Sequence, residues 1–306
     1  PEEVWGGMRE YLLIIFAGLL ATSLYNFFSC LLRALGNSTV PLVFLAVSAI
    51  LNIAWDLLFV AVFHWGIAGA AYATIFAQYV SGIGILLYVL FRCRSLFPER
   101  KDLCFDGGIL KEIAGLSSLT CLQQSVMNFG ILMVQGLVNS FGATTMAAFA
   151  AAVKIDTFAY LPVQDFGNAY STFVAQNYGA GNKERIRRGT KESFAISTAF
   201  SLVISALVFA FAAPLMQIFV SSAETAVIAS GVRYLRIEGA FYFGIGCLFL
   251  LYGYYRAIKR AEMSVVLTVI SLGIRVLLAY VLSATFLGET GIWMAIPIGW
   301  ILADLT

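Results

Sequence analysis

From Val40 to Phe63 the chain runs 24 residues with a single charged side chain, Asp56. A helix rises about 1.5 Å per residue, so a run of that length matches the roughly 30 Å hydrocarbon core of a bilayer. In that solvent no backbone N–H or C=O can go unpaired, which restricts the run to a spanning helix. Comparable apolar runs recur along all 306 residues, of which 60% are hydrophobic and 12% charged. Soluble domains carry about 25% charged residues. The pattern predicts an all-α integral membrane protein.

Turn residues and charges divide the chain into nine expected spans. They are Tyr11–Leu35, Val40–Phe63, Ile67–Phe91, Ile113–Phe141, Met146–Asn177, a sixth ending near Val220, Gly231–Ile258, Met263–Leu287, and a ninth opening near Gly291 and cut short. Residues 92–112 form the one long polar stretch and read as an interfacial linker. Residues 1–91 then make one three-helix portion and 113–306 a six-helix portion. Fourteen Lys and Arg side chains fall in the turns after spans one, three, five and seven, and three at the opposite ends. The positive-inside rule places the basic turns in the cytoplasm.

A carboxylate near the middle of a spanning helix costs on the order of 3 kcal/mol. Asn52 precedes Asp56 by one helical turn, so the two share a face. Two readings fit: part of a site for a proton or small cation, or an interhelical hydrogen-bonded pair that fixes packing. The third span repeats small or polar residues at Gly66, Ala70, Thr74, Gln78 and Gly82. That face predicts close helix approach, with Thr74 and Gln78 either bonding across the seam or serving as ligands.

Several function classes lack their residues. The single histidine, His64, falls in an expected turn, and the five cysteines have no CxxC spacing. There is no GxGxxG, GxxxxGK[ST] or HExxH. No catalytic residue, no resident cofactor and no nucleic-acid partner is expected. An intramembrane enzyme would need paired acids, a Ser/His dyad or a metal motif, and none is spaced for one. A non-transporting scaffold fits poorly with a buried aspartate.

Sliding the chain on itself by 223 residues brings Tyr11-Leu12 onto Tyr234-Leu235, Arg33-Ala34 onto Arg256-Ala257, and Ser48 onto Ser271. After a two-residue slip Gly66-Ile67 meets Gly291-Ile292. Spans one to three therefore repeat as seven to nine in the same orientation. Spans four to six precede the second copy, so three helices are expected before Pro1, and the whole would be two parallel six-helix halves. Parallel repeats about an axis along the membrane normal are a transporter architecture. In the second copy Arg275 stands at the position of Asn52 and Ala279 at that of Asp56. Intramembrane charges pair, so Arg275 is expected in a structural ion pair, with Asp156, Asp165, Glu238 and Asp304 as candidate partners.

Several stretches carry a resemblance. They are Leu31-Leu32-Arg33-Ala34-Leu35-Gly36-Asn37-Ser38 with Pro41, Leu51-Asn52-Ile53 with Asp56, and Gly66-Ile67-Ala68-Gly69-Ala70-Ala71 with Thr74 and Gln78. Lys154-Ile155-Asp156 with Leu161-Pro162 leads into Ser171-Thr172-Phe173-Val174-Ala175-Gln176-Asn177-Tyr178-Gly179-Ala180-Gly181-Asn182, the most specific run. In this order they resemble the multidrug and toxic compound extrusion (MATE) family, in its bacterial DinF-like branch.

That resemblance implies a twelve-helix, two-lobed antiporter in the bacterial plasma (inner) membrane, of which this chain would hold helices four to twelve. Its partners would be small-molecule drugs or toxic metabolites and the lipid bilayer, and it would act as a monomer. Export would be driven by Na⁺ or H⁺. The cation or proton site it implies comprises Asn52, Asp56, Thr74 and the carbonyl of Ala70, completed by an acid on a helix outside this chain. Na⁺ would sit at Asp56, Asn52 and Thr74. Gln78, Gln123, Gln124, Met127, Asn128 and Asp156 are the implied cavity residues, while the role of Asp165 stays open. The rival reading is a lipid-linked oligosaccharide flippase of the same superfamily, which needs a cationic cavity; Arg275 and Lys154 are the candidates for one.

Overall fold

The structure is a computed structural model; it describes residues 2–94 and 105–306, with side chains from Trp5 onward. The backbone divides into two units, Pro1–Phe105 and Asp106–Thr306. The division falls inside the expected linker. Most of that linker lies outside the described residues, and its last part is already helix, because α5 begins at Gly107. No strand occurs among the described residues.

The first unit holds α1 (Glu2–Ala17), α2 (Leu19–Ala34), α3 (Thr39–Asp56, continued by a π-helical turn over Leu57–Val62) and α4 (Gly66–Arg92). The first expected span lies within one apolar stretch, Trp5–Ala34, interrupted only at Gly18, which itself keeps helical dihedrals. An added Cβ there would lie 2.8 Å from Gln78 Oε1 and 3.0 Å from Ile75 on α4. α4 is the central helix and packs against the other three. At its crossing with α2, a Cβ on Gly82 would lie 2.7 Å from the Ala21 carbonyl. The small-residue face therefore serves its expected purpose at Gly82. Tyr25 ties α2 to α3 by donating to the Pro41 carbonyl at 2.9 Å, and Ser48 ties α3 to α4 by donating to the Ala77 carbonyl at 2.9 Å. The outer face of α3 is bare and apolar (Leu42, Ile50, Ile53), as suits lipid.

The second unit holds α5 (Gly107–Asn139), α6 (Ala143–Gly179), α7 (Lys183–Phe219), α8 (Thr225–Gly239), α9 (Tyr242–Ala257), α10 (Ala261–Ser283) and α11 (Glu289–Asp304). Asp106 caps α5 by accepting from the backbone of Gly108 and Ile109, and Asn182 caps α7 by accepting from Arg185. α6 packs against α7, α8 and α9, and α10 against α11 and α5. Phe149 and Trp293 stack with centroids 5.5 Å apart, and Tyr234 meets Trp293 edge-on at 4.9 Å. At the N-terminus of α11, Glu289 accepts from Thr145 at 2.9 Å, Ser230 at 3.1 Å and Arg233 at 3.3 Å. One carboxylate so joins α6, α8 and α11. At the α9–α10 turn, Lys259 donates to Glu112, which holds its ammonium above the usual lysine range.

Among the described residues seven helical stretches are long and apolar enough to cross a membrane, eight if the α8–α9 pair, bent by 51°, is one span. α11, at 16 residues, occupies the place of the ninth expected span. The repeat is visible in the backbone. Gly18, the N-cap of α2, corresponds to Phe241, the N-cap of α9, 223 positions on. Both helices then end in the same left-handed cap: Gly36 at φ 85° and Lys259 at φ 62°. Each is followed by an N–H returning 2.9 Å to a carbonyl five residues back, Asn37 to Leu32 and Arg260 to Tyr255.

Candidate functional site

Asn52 and Asp56 lie one turn apart on α3, both half-buried. Asp56 Oδ1 and Asn52 Nδ2 are shielded from solvent and have no hydrogen-bond partner. A buried carboxylate oxygen without a donor is costly. Asp56 also closes the regular part of α3, because the π-helical turn starts at the next residue. Single π turns inside α-helices concentrate at functional sites. Nothing in the hydropathy of Leu57–Val62 announces it.

α3 and α4 run antiparallel. They are tied where Ser48 meets Ala77 and where a Cβ on Gly69 would lie 3.2 Å from Phe59 Cβ. Between these ties, Asn52 and Asp56 fall at the level of Ala70 and Thr74. Thr74 donates to the Ala70 carbonyl at 3.0 Å. No hydrogen bond joins the α3 pair to the α4 pair among the described residues. All the donors are oxygen or amide, the set that suits a hard cation or a proton. Gln78 sits against the α1–α2 interruption, where it fills the seam.

Sequence reasoning overlooked a cluster of rings beside this site. Trp55 meets Phe76 at 5.7 Å, and Phe59 stacks on Trp65 at 5.0 Å. Phe63 and Tyr72 extend it. Aromatic crowding around the His64-Trp65-Gly66 turn was the available signal, and an interfacial aromatic belt is its ordinary reading.

In the second unit a cavity of about 230 Å³ opens among α5, α6, α8, α9, α10 and α11. Asp156, Glu238, Arg275 and the rings of Tyr234 and Tyr242 line it. Tyr242 donates to Asp156 Oδ1, while Asp156 Oδ2, Glu238 Oε2 and Arg275 Nε have no partner. Asp156 and Glu238 are 7% and 6% exposed. Of the other expected cavity residues, Met127 lines this cavity. Gln123 is buried elsewhere on α5, and Gln124 and Asn128 are exposed.

The ion pair expected for Arg275 does not form: among the described residues it makes no salt bridge. Of its four candidate partners, Asp156 and Glu238 share its cavity. Asp165 is exposed, and Asp304 lies against Gly244, one turn beyond Trp300 and outside the cavity lining. The two acids come from α6 and α8 and interact with each other as well as with Arg275, without a contact close enough to be a salt bridge. Lys154 is exposed and sits over the Phe219 ring at 5.7 Å. Arg275 is therefore the lone cation at a cavity that holds two acids, the opposite of a pyrophosphate site. Among the described residues no three His, Cys, Asp or Glu side chains gather as a metal site.

Comparison with known proteins follows the same lines. The MatE family profile matches residues 1–58 and 119–281. A "probable multidrug resistance protein YpnP" of Bacillus subtilis is 33% identical over 99% of this chain and 67% of its own length. A "probable multidrug resistance protein NorM" of Thermotoga maritima is 28% identical over 95% of this chain and 64% of its own length. The chain thus spans about two thirds of the relatives it matches. A crystal structure of a mutant of the Vibrio cholerae MATE transporter VcmN superposes with TM-score 0.92 at 22% identity, covering 100% of this chain and 69% of that one; this likeness shows the fold alone. With a family profile over most of its length and a relative 33% identical over 99% of this chain, the chain belongs to the MatE family of multi-pass membrane transporters.

Proposed function

We propose that the protein is a secondary active exporter of small organic molecules, often cationic and aromatic, that exchanges them for Na⁺ or H⁺ across a bacterial plasma membrane, as a monomer. The observation that carries this reading is Asp56: a carboxyl with an unpartnered, shielded oxygen on a spanning helix, with the Asn52 amide one turn away. The names of the relatives, multidrug resistance proteins, support the substrate class.

Asn52, Asp56, Thr74 and the Ala70 carbonyl receive the ion. When Asp56 is charged it seeks a cation or donor in a medium of low dielectric, and α4 is the neighbour that can supply oxygens. Neutralising it, by a proton or Na⁺, removes that pull and lets α3 and α4 repack around the π-helical turn. Drug affinity then differs between the two packings, which is all that coupling requires.

In proteoliposomes with an imposed Na⁺ or proton gradient, wild type is expected to move a fluorescent cationic dye uphill. Asp56→Asn should fall to the passive level while still equilibrating dye. The gradient that drives wild type names the ion. An Asp56→Asn variant that concentrates dye as well as wild type does would make Asp56 a packing residue. The flippase reading gains no support from a cavity with two acids and one arginine.

A further inference from the structure

Arg236 sits on the side of α8 turned away from the second unit's cavity. Tyr234 and Glu238, two residues before and after it, line that cavity. Two helical residues amount to a rotation of about 200°. Arg233, Arg236 and Ala240 share the opposite face of α8, and all three are exposed. Arg233 has a partner, because it donates to Glu289 at the start of α11. Arg236 is one turn deeper, about 5 Å further from that end of the bundle. Among the described residues it makes no salt bridge and no hydrogen bond; its guanidinium lies over the exposed Phe209 ring of α7 at 5.3 Å.

A groove of about 270 Å³ starts at this arginine. Ile237 and Phe241 form one wall, and Met294, Pro297 and Ile301 of α11 the other. Two helix irregularities flank it: the 51° turn of α9 from α8 at Ala240-Phe241, and Pro297 inside α11. Glu289 is level with Ser230, and Trp300 with Gly244, so α8–α9 and α11 run the same way. The groove therefore descends from Arg236 and Met294 toward Phe241 and Ile301. Arg236 is its one polar lining residue. A guanidinium does not lose its proton in proteins, so this charge is permanent. Held among apolar side chains in a membrane, it needs an anion. The chain offers none on that face, and the rest of the groove asks for hydrocarbon. An anionic head with an apolar tail satisfies both, and a phosphodiester matches the fork of a guanidinium.

We propose that Arg236 and this groove bind one glycerophospholipid from the leaflet at the Glu289 end of the bundle, its phosphodiester on Arg236 and one acyl chain between Phe241 and Pro297. The Lys and Arg distribution makes that leaflet the outer one. The chain of the lipid fills the gap between the α8–α9 bend and α11, so the bound lipid steadies both helices. The site lies apart from Asp56 and from the cavity, and it does not rest on the transport reading.

Native mass spectrometry of the purified, delipidated protein, titrated with dioleoylphosphatidylglycerol, counts the lipids retained and gives the dissociation constant of the tightest. Wild type should retain one tight lipid and gain on the order of a few degrees in melting midpoint at saturation. Dioleoylglycerol, which has the chains without the phosphate, and glycerol 3-phosphate, which has the phosphate without the chains, should each bind at least about tenfold more weakly. Arg236→Gln should weaken the tightest lipid about tenfold, and Arg236→Lys by less. Ala240→Trp, which fills the groove and leaves the charge, should weaken it as well. Arg187→Gln, at the opposite end of the bundle, should leave it unchanged. A tightest lipid that Arg236→Gln holds as firmly as wild type overturns the proposal and leaves Arg236 a snorkelling surface charge. Dioleoylglycerol bound as tightly as the phospholipid overturns the role of the phosphate, and glycerol 3-phosphate bound as tightly makes this a site for a free anion. Should Arg236→Gln not fold, Ala240→Trp and the two probes on wild type still decide, and an unchanged tightest lipid in Ala240→Trp also sinks the proposal.

Discussion

Trp293 is fully buried between Phe149 and Tyr234, yet its indole N–H has no partner. Its contribution is therefore ring area rather than hydrogen bonding. Trp293→Ala should cost about 3–5 kcal/mol through cavity formation. Trp293→Phe keeps most of the ring and removes an unsatisfied donor, so it should stay within about 1.5 kcal/mol of wild type. Midpoints of detergent-solubilised protein on heating distinguish the two, and equal losses would show that the N–H has a partner. Asp56 poses the opposite problem at the same scale. Its unpartnered atom is a carboxyl oxygen, which a cation or proton can satisfy, whereas nothing mobile accepts from an indole in this core. That contrast makes Asp56 a candidate for function and Trp293 one for packing.

At the scale of helices, close crossings at glycine recur. α9 meets α6 where a Cβ on Gly253 would lie 2.6 Å from the Gly167 carbonyl, and α10 meets α11 at Gly299. Without a hydrophobic force between helices in lipid, such contacts carry the association. Gly253→Ala must push two backbones apart and should lose about 1–3 kcal/mol. Gly273, in the middle of α10, has nothing within 4 Å of an added Cβ. Gly273→Ala should therefore hold stability or raise it by up to about 1 kcal/mol. Paired melting curves test this, and a drop at Gly273 as large as at Gly253 would refute the crossing argument. The bend at Ala240-Phe241 belongs to the same scale, since it turns α9 by 51° from α8 while both keep packing on α6 and α7.

For the whole molecule, the fourteen-to-three distribution of Lys and Arg predicts an orientation with the basic turns inside. After replacement of the native cysteines, a single cysteine at Arg187 should resist a membrane-impermeant maleimide added to intact cells, and one at Ser222 should react. The reverse pattern would invert the topology and with it the direction assigned to export. Membrane class, most span positions and the internal repeat were legible in the chain, because hydropathy acts residue by residue in the choice between lipid and water. Asn52 and Asp56 were legible for the same reason, as polar atoms in a run that has no business holding them. The π-helical turn after Asp56 and the cavity around Arg275 were not. A hydropathy profile reads Tyr11–Leu35 as one span, which the structure carries within Trp5–Ala34, and the interruption at Gly18 leaves no mark in it. Arg275 had four candidate partners in the sequence, and packing brought two of them to its cavity without closing a bond. Glu289 gave no signal at all, because its partners Thr145, Ser230 and Arg233 lie 144, 59 and 56 residues away. The sequence by itself determined what must lie in the membrane, since transfer energies are local sums; tertiary structure decided which buried polar groups meet, since that depends on contacts between helices distant in the chain.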